Sequence, residues 1–269
     1  MLGLGFGVIE DAAIPVAVFE LDAGLSASYG GSGQTFAHIV TAPADESAQT
    51  AYDFYRGATS GSEGSDPTFN GSAGANSANE YFSFDGGDYL TLAGSNTTFI
   101  NSLHKENAAF TWYGFLKTGD LTAGSGYFGT ISTGGASIIG ISIDSNGSGQ
   151  FILTVNKADG SQALNPVTSG GFLSANTKYM LAVSYDEASG AGLFYRDGAS
   201  GKGVVAITGA YSSPGTASAT YTAQMMALGN AGSPAPSGSR LWRTGMFNRA
   251  LTEAQLDALF ERHKAKLGL

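Results

Sequence analysis

The chain contains no cysteine, which excludes a disulfide framework and a thiolate zinc site and leaves stability to packing. It also leaves the redox compartment unreadable. Only 13% of the residues are charged, too few for a set of amphipathic helices. No apolar run approaches the roughly 18 to 20 residues that cross a bilayer. The opening Met1-Leu2-Gly3-Leu4-Gly5-Phe6-Gly7-Val8 lacks the basic region of a signal peptide, so export by the general secretion route is not expected. Basic side chains are scarcest in the first hundred residues, which carry 12 acidic groups and one basic group (−11), against +2 for the remainder and −9 overall. Such a field repels phosphate backbones and anionic lipid, so neither nucleic acid nor membrane is an expected partner. An acidic face suits a basic protein surface or simple solubility.

What is abundant is glycine, 40 of 269 residues, with 42% hydrophobic and 11% aromatic residues. Many turns and ample core material indicate an all-β chain, and length alone does not divide it into domains. The most legible stretch runs from Thr177 to Gly198 as a β-hairpin: Leu181, Val183 and Tyr185 alternate with Met180, Ala182 and Ser184, and Asp186 to Gly192 turns the chain into the aromatic run Leu193–Arg196. Phe110–Lys117 alternates too, with Phe110, Trp112 and Leu116 on one face and Tyr113, Phe115 and Lys117 on the other. Further strands are predicted at 16–21, 127–132, 137–143, 151–155, 203–208, 225–229 and 241–247, and Glu80–Leu92 reads as a hairpin about Gly86-Gly87. Many short strands at this spacing indicate a sandwich or jelly roll.

The two ends differ from the middle. Residues 1–15 read as an arm whose Leu2, Leu4, Phe6, Val8 and Ile9 would pack on the domain or on a neighbouring subunit, a frayed terminus being the alternative. Residues 16–251 form the sandwich. Within it, Ser26 to Asn79 reads as long loop with short strands, packed by its own scattered aromatics. Residues 252–269 form a helix: Thr252 and Gln255 make a capping box, Leu256, Leu259, Phe260, His263 and Leu267 recur at helical spacing, and the helix should pack outside the sandwich.

Three segments together resemble the concanavalin A-like lectin/glucanase superfamily in its laminin-G-like branch. They are Phe82-Ser83-Phe84-Asp85-Gly86-Gly87-Asp88-Tyr89-Leu90, the hairpin Tyr179–Gly198, and Leu241–Leu251 leading into Thr252. The resemblance implies a jelly roll of two antiparallel sheets closed by a C-terminal helix. Leu21-Asp22-Ala23-Gly24, Ser28-Tyr29 and Gly30-Gly31-Ser32-Gly33 resemble phage and prophage structural proteins that carry such a domain. This implies a virion component.

Chemistry is thin. The glucanase motif of the superfamily, Glu-x-Asp-x-(x)-Glu, is matched only at its start by Glu20-Leu21-Asp22, so no enzyme is expected by that route. His38, His104 and His263 have no metal or triad spacing. Calcium is common in the resembled fold, and Asp144-Ser145-Asn146-Gly147 is oxygen-rich, so Asp144 and Asn146 are candidate ligands, with a hairpin turn as the other reading. Tyr113 and Phe115, on the face away from the first core stripe, are candidates for stacking on a sugar unless a neighbouring element covers them. Trp242 with Arg240 and Arg243 has the same double reading. The expectation is a non-enzymatic virion protein presenting a lectin-like domain to host polysaccharide and bound to other virion proteins, with homo-oligomers expected. The alternatives are a carbohydrate-active enzyme or a secreted adhesin.

Overall fold

The structure, a computed structural model, describes residues 13–94, 97–121, 125–131, 138–157, 162–212, 216–229 and 232–269. The expected arm residues Leu2, Leu4, Phe6, Val8 and Ile9 lie outside the described residues. In chain order the strands are β1 (Phe19–Asp22), β2 (Thr35–Phe36), β3 (Phe54–Arg56), β4 (Thr68–Asn70), β5 (Tyr81–Ser83), β6 (Leu90–Leu92), β7 (Ala109–Lys117), β8 (Ser125–Gly129), β9 (Gly140–Ser145), β10 (Phe151–Asn156), β11 (Gln162–Leu164), β12 (Lys178–Asp186), β13 (Ala191–Gly198), β14 (Gly203–Thr208), β15 (Gln224–Met225) and β16 (Arg240–Phe247). A short helix α1 (Thr97–Ser102) precedes β7, and α2 (Glu253–His263) follows β16.

Two antiparallel sheets result. The first runs β14-β13-β12-β7-β16-β5-β4, with β1 also on β16, and the second runs β11-β10-β9-β8-β15-β6-β3-β2. All ladders between these strands are antiparallel, and the all-β, two-sheet sandwich with a C-terminal helix is the architecture expected from the sequence. Period-two alternation carries the layering. Phe110, Trp112, Leu116, Leu181, Val183 and Tyr185 enter the core between the sheets with Phe151, Leu153 and Ile143. Tyr113, Phe115, Met180, Ala182, Trp242 and Phe247 face the other way, into a second core beneath α2. Sheet faces buried on both sides explain strands that read as continuously apolar.

The hairpin of β12 and β13 stands as read, from Tyr179 opposite Gly198 to Asp186 opposite Ala191. The segment Glu80–Leu92 does not form one. β5 joins the first sheet against β16 and β4, whereas β6 joins the second against β3 and β15. Gly86, at φ +107°, lies in a crossover between layers, a use of glycine that composition does not separate from a tight turn. The strand expected at 225–229 is confined to Gln224–Met225. Between β1 and β5, Tyr29, Phe36 and Phe69 pack against one another and against Phe82 of β5, edge to face or tilted, at 4.9–6.4 Å, so the aromatics of the long loop do pack it, anchored on the first sheet.

At the far end Thr252 Oγ1 accepts from the Gln255 amide at 3.3 Å and Gln255 Oε1 accepts from the Thr252 amide at 3.0 Å, the reciprocal capping box. The helix tightens at Lys264–Leu267 into a 3-10 turn closed by Gly268 at φ +71°. Leu256, Leu259, Phe260 and Leu267 drive this segment onto the outer face of the first sheet.

Candidate functional site

The outer face of the first sheet is divided. Where α2 and its 3-10 extension lie, every ring is covered: Tyr113, Phe115 and Trp242 are each 0% exposed. Phe115 meets His263 edge to face, and Trp242 Nε1 donates to the Ala78 carbonyl at 2.9 Å. Tyr113 and Phe115 therefore present no platform to a sugar, because the C-terminal helix needs the same apolar face for its own burial.

An ionic network ties the elements of this half together. Arg243 donates from Nη1 to Asp22 Oδ2 and from Nη2 to Glu20 Oε2, both at 2.8 Å, and Tyr113 Oη donates to Glu20 Oε1 at 2.6 Å. Lys266 Nζ reaches Asp22 Oδ1 at 2.8 Å and also bonds Asn76 Oδ1. Burial opposes the charge on Arg243, but Tyr113, Glu20 and Asp22 raise its hold on the proton above that of an ordinary arginine. Burial, with Arg243 second, pushes His263 down to about 4, so it stands neutral beside the network. The two carboxylates of the partial glucanase motif are thus engaged in a structural network, beside which a pocket of ≈ 290 Å³ opens between Asp22, Asn76, Arg243, His263 and Lys266.

Beyond the helix the same face is open. A pocket of ≈ 410 Å³ is lined there by Asp66, Thr68, Asn70, Tyr81, Ser83, Asp85, Asp88, Lys117 and Arg240, among others. Register builds its floor: Thr68 stands opposite Ser83, Ser83 opposite Arg240, and Arg240 opposite Lys117. The Arg240 guanidinium lies 4.5 Å from the Tyr81 ring centre, a cation–π contact that orients it. Lys117 Nζ donates to Asn176 Oδ1 at 3.0 Å, and burial, followed by Arg240, lowers its pKa. On the opposite wall Asp88 Oδ2 accepts the Asp85 amide at 2.9 Å, and burial pushes this carboxyl up to about 6. Of these residues the sequence singled out Arg240, carried Ser83, Asp85 and Asp88 within the segment that resembles the superfamily, and placed Lys117 on the correct face.

The Asp144–Asn146 loop is a turn. Asp144 sits in β9, 8% exposed, with Ser142 Oγ donating at 3.1 Å, and burial pushes it up to about 6. Asn146 Oδ1 accepts the amides of Ser148 and Gln150 at 3.0 and 3.2 Å. An oxygen spent on the turn amides is not aimed at a cation, and among the described residues no group of three or more His, Cys, Asp or Glu is placed to hold a metal. His38 and His104 are buried, His104 Nε2 lying 2.8 Å from the Ala217 carbonyl oxygen. The three histidines do not meet.

No protein-family model matches the sequence, and no curated protein matches it. Solved structures share the fold. A mutant of Trypanosoma rangeli sialidase displaying trans-sialidase activity aligns with TM-score 0.55 at 15% identity, over 95% of this chain and 34% of that one. The CBM40 of Ruminococcus gnavus IT-sialidase, bound to α2,3-sialyllactose, aligns with TM-score 0.51 at 14% identity, over 68% of this chain and 98% of that one. The binding domain of botulinum neurotoxin DC, in complex with SialylT, aligns with TM-score 0.53 at 9% identity, over 91% and 51%. The chain spans only about a third of the trypanosomal sialidase, and at these identities the likeness is one of fold.

Proposed function

We propose that this protein is a carbohydrate-binding β-sandwich that acts by adhesion rather than hydrolysis, through the open end of the outer sheet face. The observation that carries the reading is the pocket over β4, β5, β16 and β7, where Arg240 lies on Tyr81 beside Ser83, Asn70 and Lys117 in ≈ 410 Å³ of polar space. Its size falls in the range of about 300–1,000 Å³ typical of small-molecule sites. A CBM40 bound to sialyllactose and a toxin binding domain complexed with SialylT, both on this fold, support a sugar as the ligand. The non-enzymatic part of the reading is supported by Glu20 and Asp22, which are both committed to Arg243. The resemblance of residues 21–33 to phage structural proteins supports a place in a virion, with host polysaccharide as the target.

A glycan array followed by calorimetry on the best ligand tests this. Tyr81→Ala and Arg240→Ala should each weaken binding at least tenfold while leaving the melting temperature within a few degrees. Full affinity in both variants would move the site elsewhere. Release of reducing ends from the bound polysaccharide would make the protein an enzyme, and failure to incorporate into purified particles would remove the virion reading.

A further inference from the structure

The charges around this pocket are segregated. Arg240, Lys117 and Lys178 occupy adjacent positions of one cross-strand row on β16, β7 and β12. Lys178 is partly engaged, donating to the Leu267 carbonyl at 2.7 Å and lying 5.6 Å from the Trp242 ring. The other two point at the pocket. Among the described residues none of the three has a carboxylate within ion-pair distance, although every other ion pair found is formed by Lys202, Arg243, Lys264 or Lys266. Like charges directly opposite one another on a ladder destabilise it, and this happens in a chain with 22 acidic and 13 basic side chains.

One carboxylate, Asp120, lies on the Lys117 side and is held by Asn176 Nδ2 at 2.9 Å; the carboxylates that line the pocket are on the other side. Asp66, Asp85 and Asp88 line the same pocket without reaching the cations. Each instead takes a hydrogen bond from its own loops: Asp66 Oδ2 accepts Gln34 Nε2 at 2.7 Å and the Glu63 amide at 3.0 Å, Asp85 Oδ1 accepts the Gly87 amide at 2.8 Å, and Asp88 Oδ2 accepts the Asp85 amide. A carboxylate so fixed cannot swing across to neutralise Arg240 or Lys117. The space between is therefore bounded by donors on one wall and acceptors on the other.

Resting on the glycan-binding reading, we infer that the site takes a sugar acid, its carboxylate seated between Arg240 and Lys117 and its ring hydroxyls donating to Asp85 and Asp88. A guanidinium held 4.5 Å over the Tyr81 ring centre offers its planar fork to a carboxylate. The ammonium beside it supplies a second charge, and the anion relieves the repulsion between the two. The hydroxyls of a neutral sugar can accept from the two cations as well, but they bring no negative charge to offset the repulsion between them.

The test uses the full chain and an array holding glycans ended in glucuronate, galacturonate or N-acetylneuraminate, the methyl ester of each, neutral hexose glycans, and sulfated glycans lacking a carboxylate. The expected result is binding to at least one carboxylated glycan, a loss of tenfold or more in its methyl ester, weakening with added salt, and a similar loss in Arg240→Gln and in Lys117→Met. Equal binding of acid and ester, or a preference for neutral or sulfated glycans, would overturn the sugar-acid assignment while leaving the glycan reading intact. Silence across the whole array would overturn the glycan reading, and the inference with it.

Discussion

Asp22 and Arg243 stand directly opposite each other in the ladder of β1 and β16, 221 residues apart in sequence, and join at 2.8 Å with side chains 1% and 8% exposed. Arg243 holds Glu20 as well, so a single guanidinium balances two carboxylates while Lys266 balances Asp22 from the C-terminal 3-10 turn. This network fastens α2 and its extension to the sheet and fixes which half of the outer face stays open.

Arg243→Met removes the cation shared by Glu20 and Asp22, leaving Glu20 with only the Tyr113 hydroxyl and Asp22 with Lys266. Removing one partner of a buried ionic cluster costs about 3–5 kcal/mol, a fall in melting temperature on the order of 10 °C for a domain of this size. Thermal denaturation checks it, and a loss under about 2 °C would show that the network contributes little.

Gly245 lies opposite both Glu20 and Tyr113, and the Tyr113 ring crosses it to reach Glu20. A Cβ there would sit 2.7 Å from a Tyr113 ring carbon and 2.7 Å from the Phe19 carbonyl oxygen. Gly245→Ala should destabilise by about 1–3 kcal/mol, and pairing it with Tyr113→Phe should recover none of the backbone part of the clash. Chemical denaturation of the single and double variants measures both.

His263 has a folded pKa of about 4 against 6.5 for the free side chain. The folded state binds fewer protons than the unfolded one between those values, so this group's contribution is complete above pH 6.5 and is lost as the pH falls towards 4. His263→Gln should flatten the acid limb of the stability profile by about 1–2 kcal/mol, a figure reduced for the half-buried ring. An unchanged profile between pH 6.5 and 4 would refute it.

Asp144 has the opposite sign. Its folded pKa, about 6, lies above the usual 3.8, so the folded state is favoured by protonation, and stability from this group is complete below pH 3.8 and falls as the pH rises through 6. Asp144→Asn should therefore stabilise the protein at pH 7.5 by roughly 1–3 kcal/mol and make no difference at pH 3.5. Urea titrations at the two pH values provide the comparison.

Local pattern carried much of the fold. Period two in Phe110–Lys117 sorted Phe110, Trp112 and Leu116 from Tyr113, Phe115 and Lys117, and the structure keeps that partition between its two cores. Thr252 and Gln255 announced α2 because capping is a contact over three residues. Glu80–Leu92 misled because a glycine pair marks a change of direction without saying whether the chain returns to the same sheet. The fate of Tyr113 and Phe115 was hidden for a related reason: exposure of the outer face depends on where α2 docks, and docking is tertiary. The open pocket draws Thr68, Tyr81, Ser83, Lys117 and Arg240 from four strands whose adjacency follows the order β4-β5-β16-β7. No window of sequence contains them together.

The strand order has a consequence for biosynthesis. β16, made after every other described strand of the first sheet, lies in the middle of that sheet, paired with β7 on one side and with β1 and β5 on the other. Until residues 240–247 emerge, the nascent sheet has an empty slot at its centre, with unpaired edges facing it from both sides. A chain broken off before β16 would carry two sticky half-sheets, so the first sheet becomes safe from pairing with other copies only once β16 has been made.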